Sequence, residues 1–193
     1  MQFKKAVDLI LEKQKKELSG HLSYHNIDHI RDVYNAAGQI GKQEGISDAD
    51  MHLLLTAAAF HDSGFIKRRS GHEEESCRIA AETLPAFGYT PADIETIRGL
   101  IMATKIPQSP KNHLEEILAD ADLDYLGRDD FFIVGEKLFN EFLTEGIVSN
   151  ANDWNRLQVR FIENHHYFTK TSQKLRAAKK EENLKQVKAK LNS

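Results

Sequence analysis

The sequence predicts an all-α fold, a single-domain helical bundle. Three observations carry that reading. Apolar residues recur at helical spacing through nearly every segment, and no run combines strict alternation with β-branched enrichment. Helix starts are legible as side-chain acceptors followed by an acid or Pro in the next turn. Gly and Pro number only 11 and 4 in 193 residues, as in an ordinary soluble, helix-rich chain.

Taken in order, the spacing predicts helices over 2–18, 26–44, 48–62, 71–85, 91–103, 113–126, 129–145, 151–166 and 171–191. The first places Lys4, Lys5 and Lys13 inside its apolar pattern, so it does not read as a signal peptide. Ser47, with Asp50 three residues on, opens the third, whose LLLTAAAF stretch (Leu53 to Phe60) is apolar around its whole circumference and belongs in the middle of the bundle. Ser70 with Glu73, and Thr90 with Pro91 and Asp93, open the fourth and fifth. Pro107 and Pro110 mark 106–111 as a rigid loop, after which Asn112 and Glu115 start the sixth. The seventh and eighth rest on period alone. Leu175, Leu184, Val187 and Leu191 give the ninth a partial apolar face.

Bulk properties narrow the function. At 193 residues, one domain spanning 1–193 is expected, and the chain is long enough to bury its own core. No apolar run reaches the roughly 18 residues needed to span a bilayer, so no membrane partner and a cytoplasmic location are expected. A lone cysteine, Cys77, excludes an internal disulfide or a cysteine-rich zinc site, and reads as a packing residue. Residues 170–193 carry eight Lys or Arg against two Glu, yet this reads as a solvated helix face, and nucleic acid is not an expected partner. A homo-oligomer is compatible with the sequence.

Three short stretches carry chemistry. In YHNIDH (Tyr24 to His29), His25 and His29 stand four residues apart and, on a helix, share a face, so one metal or one substrate could meet both. Asn26 occupies the place of the Glu base of a zincin, so this is not that motif; two surface histidines would read the same way. His61-Asp62 ends the most apolar helix. Burying a carboxylate beside an imidazole costs several kcal/mol unless a cation or dense hydrogen bonding compensates; a cap for the next turn is the plainer alternative for Asp62. In LADADLDYL (Leu118 to Leu126), Asp122 lies four residues from both Leu118 and Leu126 and so faces inward, where a carboxylate needs a cation; Asp120 and Asp124 lie on other faces, as caps or ion-pair partners.

Together these stretches resemble the HD superfamily of metal-dependent phosphohydrolases: a His, a His-Asp dyad about one helix later, and a distant Asp. The match falls on His29, His61, Asp62 and Asp122, and covers about 21–126, with the helices over 129–191 expected to pack on that core. YHNIDHIRDV is also similar to the signature of the cyclic-nucleotide phosphodiesterases, in which the second histidine ligates metal and the first protonates the leaving group. That likeness implies His29 as ligand and His25 as general acid. The chain is shorter than those catalytic domains and their purine-clamping glutamine is not recognisable, so cyclic-nucleotide specificity does not follow; GHEEES, IMATK and ADADLDYLG are more similar to small bacterial HD phosphohydrolases.

The resemblance implies a divalent ion (Mn, Fe, Ni, Mg or Zn) and a small phosphorylated substrate such as a nucleotide, cleaved as a mono- or diester by a metal-activated water, with His25 or Asp62 handling the proton. Lys67, Arg68 and Lys105 are candidate phosphate clamps or, equally, a solvated basic turn. His72, Glu73 and His113 could hold a second ion or hydrogen-bond to the ligands. Two other readings stand beside this one: a di-iron oxygenase with His72 and His113 as ligands, and a regulatory module that binds nucleotide without turnover.

Overall fold

A computed structural model describes residues 1–191; positions 192 and 193, the end of the span read as one domain, lie outside the described residues. Among the described residues nine α-helices and three short 3₁₀ turns follow one another without a strand. In chain order they are α1 (Phe3–Glu17), α2 (Ile27–Gln43), α3 (Asp48–Phe60), α4 (His72–Thr83), α5 (Pro91–Ala103), α6 (His113–Asp122), α7 (Phe131–Thr144), α8 (Ala151–Asn164) and α9 (Lys170–Leu191). The 3₁₀ turns, Ser63–Ile66, Leu84–Phe87 and Asp124–Gly127, follow α3, α4 and α6.

Because α3 is apolar all round, it has no face for water, and α1, α2, α5 and α6 pack about it. Leu54, Ala57, Ala58, Ala59 and Phe60 are all inaccessible, and the run of alanines lets the neighbouring helices approach closely. Full burial of Phe60 or Leu54 contributes about 1.5–3 kcal/mol each. A second apolar cluster joins Tyr24, Leu126, Phe131, Ile162, Leu184 and Val187, and so ties α7, α8 and α9 to the segment after α6. The site lies where the two clusters meet.

The capping expectations hold at Ser47, Thr90 and Asn112, each of which accepts from the backbone N–H three residues on; Thr90 and Asp93 form a reciprocal capping box. Ser70 does not cap. Gly71 takes that position at φ 73°, a left-handed conformation that turns the chain out of the Ser63–Ile66 turn into α4 and that serine would adopt only with strain. Leu175 is exposed rather than part of an apolar face; α9 is held by Leu184 and Val187. It is also pinned by polar contacts: Arg176 Nε donates to Asp124 Oδ1 at 2.7 Å, and the Asn183 amide donates to the Leu126 and Arg128 carbonyls at 3.0 and 3.1 Å. Close approach requires Gly127, because a Cβ there would lie 2.4 Å from the Arg176 carbonyl oxygen.

No helix among the described residues is long and apolar enough to cross a membrane.

Candidate metal centre and catalytic cleft

Four side chains converge from three places. His29 comes from the first turn of α2, His61 and Asp62 directly follow α3, and Asp122 is the last residue of α6. His61 Nε2 lies 3.2 Å from Asp62 Oδ2 and 3.5 Å from Asp122 Oδ1; His29 Nε2 lies 3.4 and 3.3 Å from the same two oxygens. Ligands about 2.1 Å from a common ion and roughly at right angles stand about 3.0 Å apart, and somewhat further at wider angles, so the spacing suits a shared cation.

Hydrogen bonding gives an independent test of fit. His61 Nδ1–H donates to the Ala58 carbonyl at 2.8 Å, which directs the lone pair of Nε2 inward. His61 Nε2 and Asp62 Oδ2 are both inaccessible and have no hydrogen-bond partner. Leaving two such atoms orphaned is costly, and a divalent ion would satisfy both. Burial works against a charged His61, but the Asp62 and Asp122 carboxylates outweigh it and hold its pKa well above the ordinary range. Asp122 shows the converse: burial pushes it up, yet the imidazoles of His29 and His61 beside it bring it down to about 2. Two carboxylates that draw protons onto imidazoles would draw a metal in the proton's place.

Asp62 turns its other oxygen, Oδ1, toward His72 Nε2 at 3.4 Å, while His72 Nδ1–H donates to the Arg69 carbonyl at 2.9 Å. His72 and Glu73 line the cleft beside the centre. His113 is elsewhere: its side chain is 51% exposed and pairs with Glu44 and Glu116, because the first turn of α6 sits at the end of that helix opposite Asp122. A second ion, or the di-iron reading, therefore lacks this histidine.

His25 is not on a helix. Asn26 caps α2 in an extended conformation, its side chain accepting from the Asp28 N–H at 2.9 Å, so His25 precedes the first turn instead of sharing a helix face with His29. Its ring nonetheless faces the centre, 6.0 Å from the His29 ring and stacked on Phe65 at 4.4 Å. What fixes it is Glu141, from α7, which sequence reasoning missed. This fully buried carboxylate accepts from the Tyr24 and His25 backbone N–H groups at 2.8 and 3.0 Å, from His25 Nδ1 at 2.5 Å and from Arg69 Nη1 at 2.9 Å. Burial pushes its pKa up, but the His25 contact and the backbone donors prevail and lower it to about 2. A signal was present: Val134, Leu138 and Glu141 keep the i, i+4, i+7 rhythm, which puts an acid on an apolar stripe.

The basic turn is only partly at the cleft. Arg68, Arg69 and Lys105 line its outer mouth, paired with Glu75, with Glu141 and Glu145, and with Glu74 respectively. Lys67, at the exposed end of the Ser63–Ile66 turn, does not line it, which corrects its place among the clamps. Asp120 and Asp124 are structural: the first accepts from the Phe168 and Thr169 N–H groups, and the second pairs with Arg176. Cys77 is buried, and that burial raises its thiol to about 11, which suits packing and not attack.

No curated protein sequence matches this chain. Two crystal structures share its fold over nearly the full length. A Lactobacillus plantarum protein, a Northeast Structural Genomics target, is 18% identical with a TM-score of 0.65, covering 100% of this chain and 99% of its own. Bacillus subtilis YpgQ, solved in complex with ADP, is 21% identical with a TM-score of 0.66, covering 99% and 95%. Residues 26–126, which carry His29, the dyad and Asp122, match the HD domain, and on that match the chain belongs to the HD domain family.

Proposed function

We propose that this protein is a metal-dependent phosphohydrolase that cleaves a phosphate mono- or diester, of a nucleotide or a similar small phosphate. The observation that carries the proposal is the pair of buried, unpartnered atoms, Asp62 Oδ2 and His61 Nε2, facing His29 Nε2 at 3.4 Å and Asp122 Oδ1 at 3.5 Å respectively. The HD family is mostly composed of such enzymes, and the YpgQ complex with ADP supports a nucleotide as the substrate class.

His29, His61, Asp62 and Asp122 would hold the ion. When bound, a divalent cation polarises phosphoryl oxygen and makes water more acidic. The remaining chemistry belongs to the chain. With Nδ1–H committed to Glu141, His25 presents Nε2 to the cleft as the proton donor for the departing oxygen. As water oxygen bonds to phosphorus and the ester P–O bond breaks, that proton passes from His25 to the leaving oxygen. The proton released by the attacking water has Asp62 Oδ1 and His72 Nε2 on the adjacent wall to receive it. Phe65, stacked on His25, keeps bulk water from the ring's outer face.

The test is a panel of phosphomonoesters and phosphodiesters assayed after chelation and reloading with Mn, Fe, Ni, Mg or Zn in turn. Turnover that returns only with a divalent ion is expected. Stoichiometric metal with no hydrolysis of any ester would overturn the assignment.

A further inference from the structure

The two histidines assigned to proton handling, His25 and His72, lie 6.4 Å apart between ring centroids and are tied to one residue. Arg69, in the turn between α3 and α4, reaches His25 through its side chain and His72 through its backbone. Its Nη1 donates at 2.9 Å to Glu141 Oε1, the same oxygen that accepts from His25 Nδ1 at 2.5 Å. Its carbonyl accepts from the His72 backbone N–H at 3.1 Å and from His72 Nδ1 at 2.9 Å, which turns His72 Nε2 toward Asp62 Oδ1. Phe65 lies against both rings, 4.4 Å from His25 and 4.1 Å from His72, and the Arg69 guanidinium sits over it at 5.7 Å.

The guanidinium is also fastened to the far side of the mouth. It lies 5.2 Å from the Phe142 ring of α7 and pairs with Glu145, the residue directly after that helix. Two carboxylates and two aromatic faces thus converge on one cation whose side chain is 30% exposed. A single exposed ion pair contributes little to stability, but a planar fork held between acids and stacked on rings fixes direction, which a point charge on a flexible stem does not. Proton transfer is sensitive to direction: a donor displaced by about 1 Å can cost a hundredfold in rate. We infer that Arg69 is a positioning residue for the proposed hydrolysis. Through Glu141 it aims His25 at the leaving oxygen, through its carbonyl and Phe65 it aims His72 at the side of the attacking water, and its clasp on α7 sets the spacing of the two. The inference rests on the phosphohydrolase reading for what the rings do, but their orientation can be read without turnover.

The test compares Arg69→Met, Arg69→Lys and Arg69→Ala with wild type in the full chain loaded with Mn, using phenyl phosphate and 4-nitrophenyl phosphate. Nitrophenolate departs without a proton, whereas phenolate needs one, so a misaimed donor is felt mainly with phenyl phosphate. In Arg69→Met, kcat for phenyl phosphate should fall about tenfold, with KM and metal content unchanged, and kcat for 4-nitrophenyl phosphate should fall by less than about threefold. Arg69→Lys, which keeps the charge and loses the fork, should fall between Arg69→Met and wild type. The outer mouth is a cavity of about 550 Å³ lined by His25, Phe65, Arg69, His72 and Phe142, so guanidinium ion can enter the space vacated in Arg69→Ala. Added at concentrations too low to move the unfolding midpoint, it should restore part of the phenyl phosphate turnover. Independently of activity, proton spectra of the Zn-loaded chain carrying isotope-labelled histidine should show sharp Nδ1–H resonances for His25 and His72 in wild type, both lost to solvent exchange in Arg69→Met. The inference fails if both esters slow equally and guanidinium rescues neither, or if both resonances persist in Arg69→Met. Loss of the resonances in a protein that hydrolyses no ester would sink the phosphohydrolase reading and leave the orienting role standing.

Discussion

Glu141→Gln is the most informative single change, because the carboxylate touches no proposed ligand and His25 is its one contact with a proposed catalytic group. Depression of its pKa from 4.5 to about 2 corresponds to roughly 3 kcal/mol of preferential stabilisation of the charged form. His25 and Arg69 are themselves 17% and 30% exposed, so solvent screening reduces this to about 2 kcal/mol. The sign follows from the direction of the shift. A carboxylate with a lowered folded pKa contributes its full stability above pH 4.5 and loses it as pH falls toward 2, so the variant should lose that acid-limb dependence along with about 2 kcal/mol at pH 7. Urea unfolding in chelator at pH 7 and at pH 3 measures both. In the metal-loaded protein, kcat should fall tenfold or more with KM and metal content nearly unchanged, since only the aim of the His25 ring is lost. Unchanged kcat would refute the positioning role; metal lost in proportion to activity would mean that Glu141 supports the ligands instead.

Asp62→Ala should abolish both metal retention and hydrolysis while leaving helix content intact, as read by elemental analysis and circular dichroism; full activity in this variant would refute the site. His25→Ala should keep the metal and lower kcat by about 10²–10⁴, the usual worth of a general acid, and loss of metal there would mean that the two histidine roles are interchanged. Chelation should lower Tm by roughly 5–10 °C if the ion is normally present at about a hundred times its Kd, with recovery on reloading. Gly64→Ala would place a methyl 2.0 Å from the His72 carbonyl oxygen, so the backbone beside the dyad must move; a loss of at least about 2 kcal/mol in urea unfolding is expected, and a wild-type midpoint would show that the turn yields cheaply.

The convergence of the four candidate ligands was legible because it is written in local context: His61-Asp62 follows an unbroken apolar helix, and Asp122 sits between Leu118 and Leu126. Such residues betray themselves by being polar where the helical rhythm demands apolar. Helix existence was legible for the same reason, whereas ends were displaced where a turn needed something special, as at Gly71, or where a cap pre-empted the first turn, as at Asn26. His113 misled because it belongs to the same helix as Asp122, but the ten residues of α6 carry it to the opposite end of that helix. Glu141 escaped for a different reason. Tyr24 and His25, from which it accepts, lie more than a hundred residues away along the chain, and only the packing of α7 against the centre brings it there.

The lysine-rich last helix is more than a solvated appendage. By gripping Asp124, Leu126 and Arg128, α9 braces the very turn that begins two residues after Asp122. Whatever loosens one loosens the other, and reciprocity requires that cation loading and docking of α9 strengthen each other by the same factor. Trypsin should thus cut at Lys179 and Lys180 more slowly in the loaded protein, and a bulky fusion that pries this helix away would demetallate a centre it never touches.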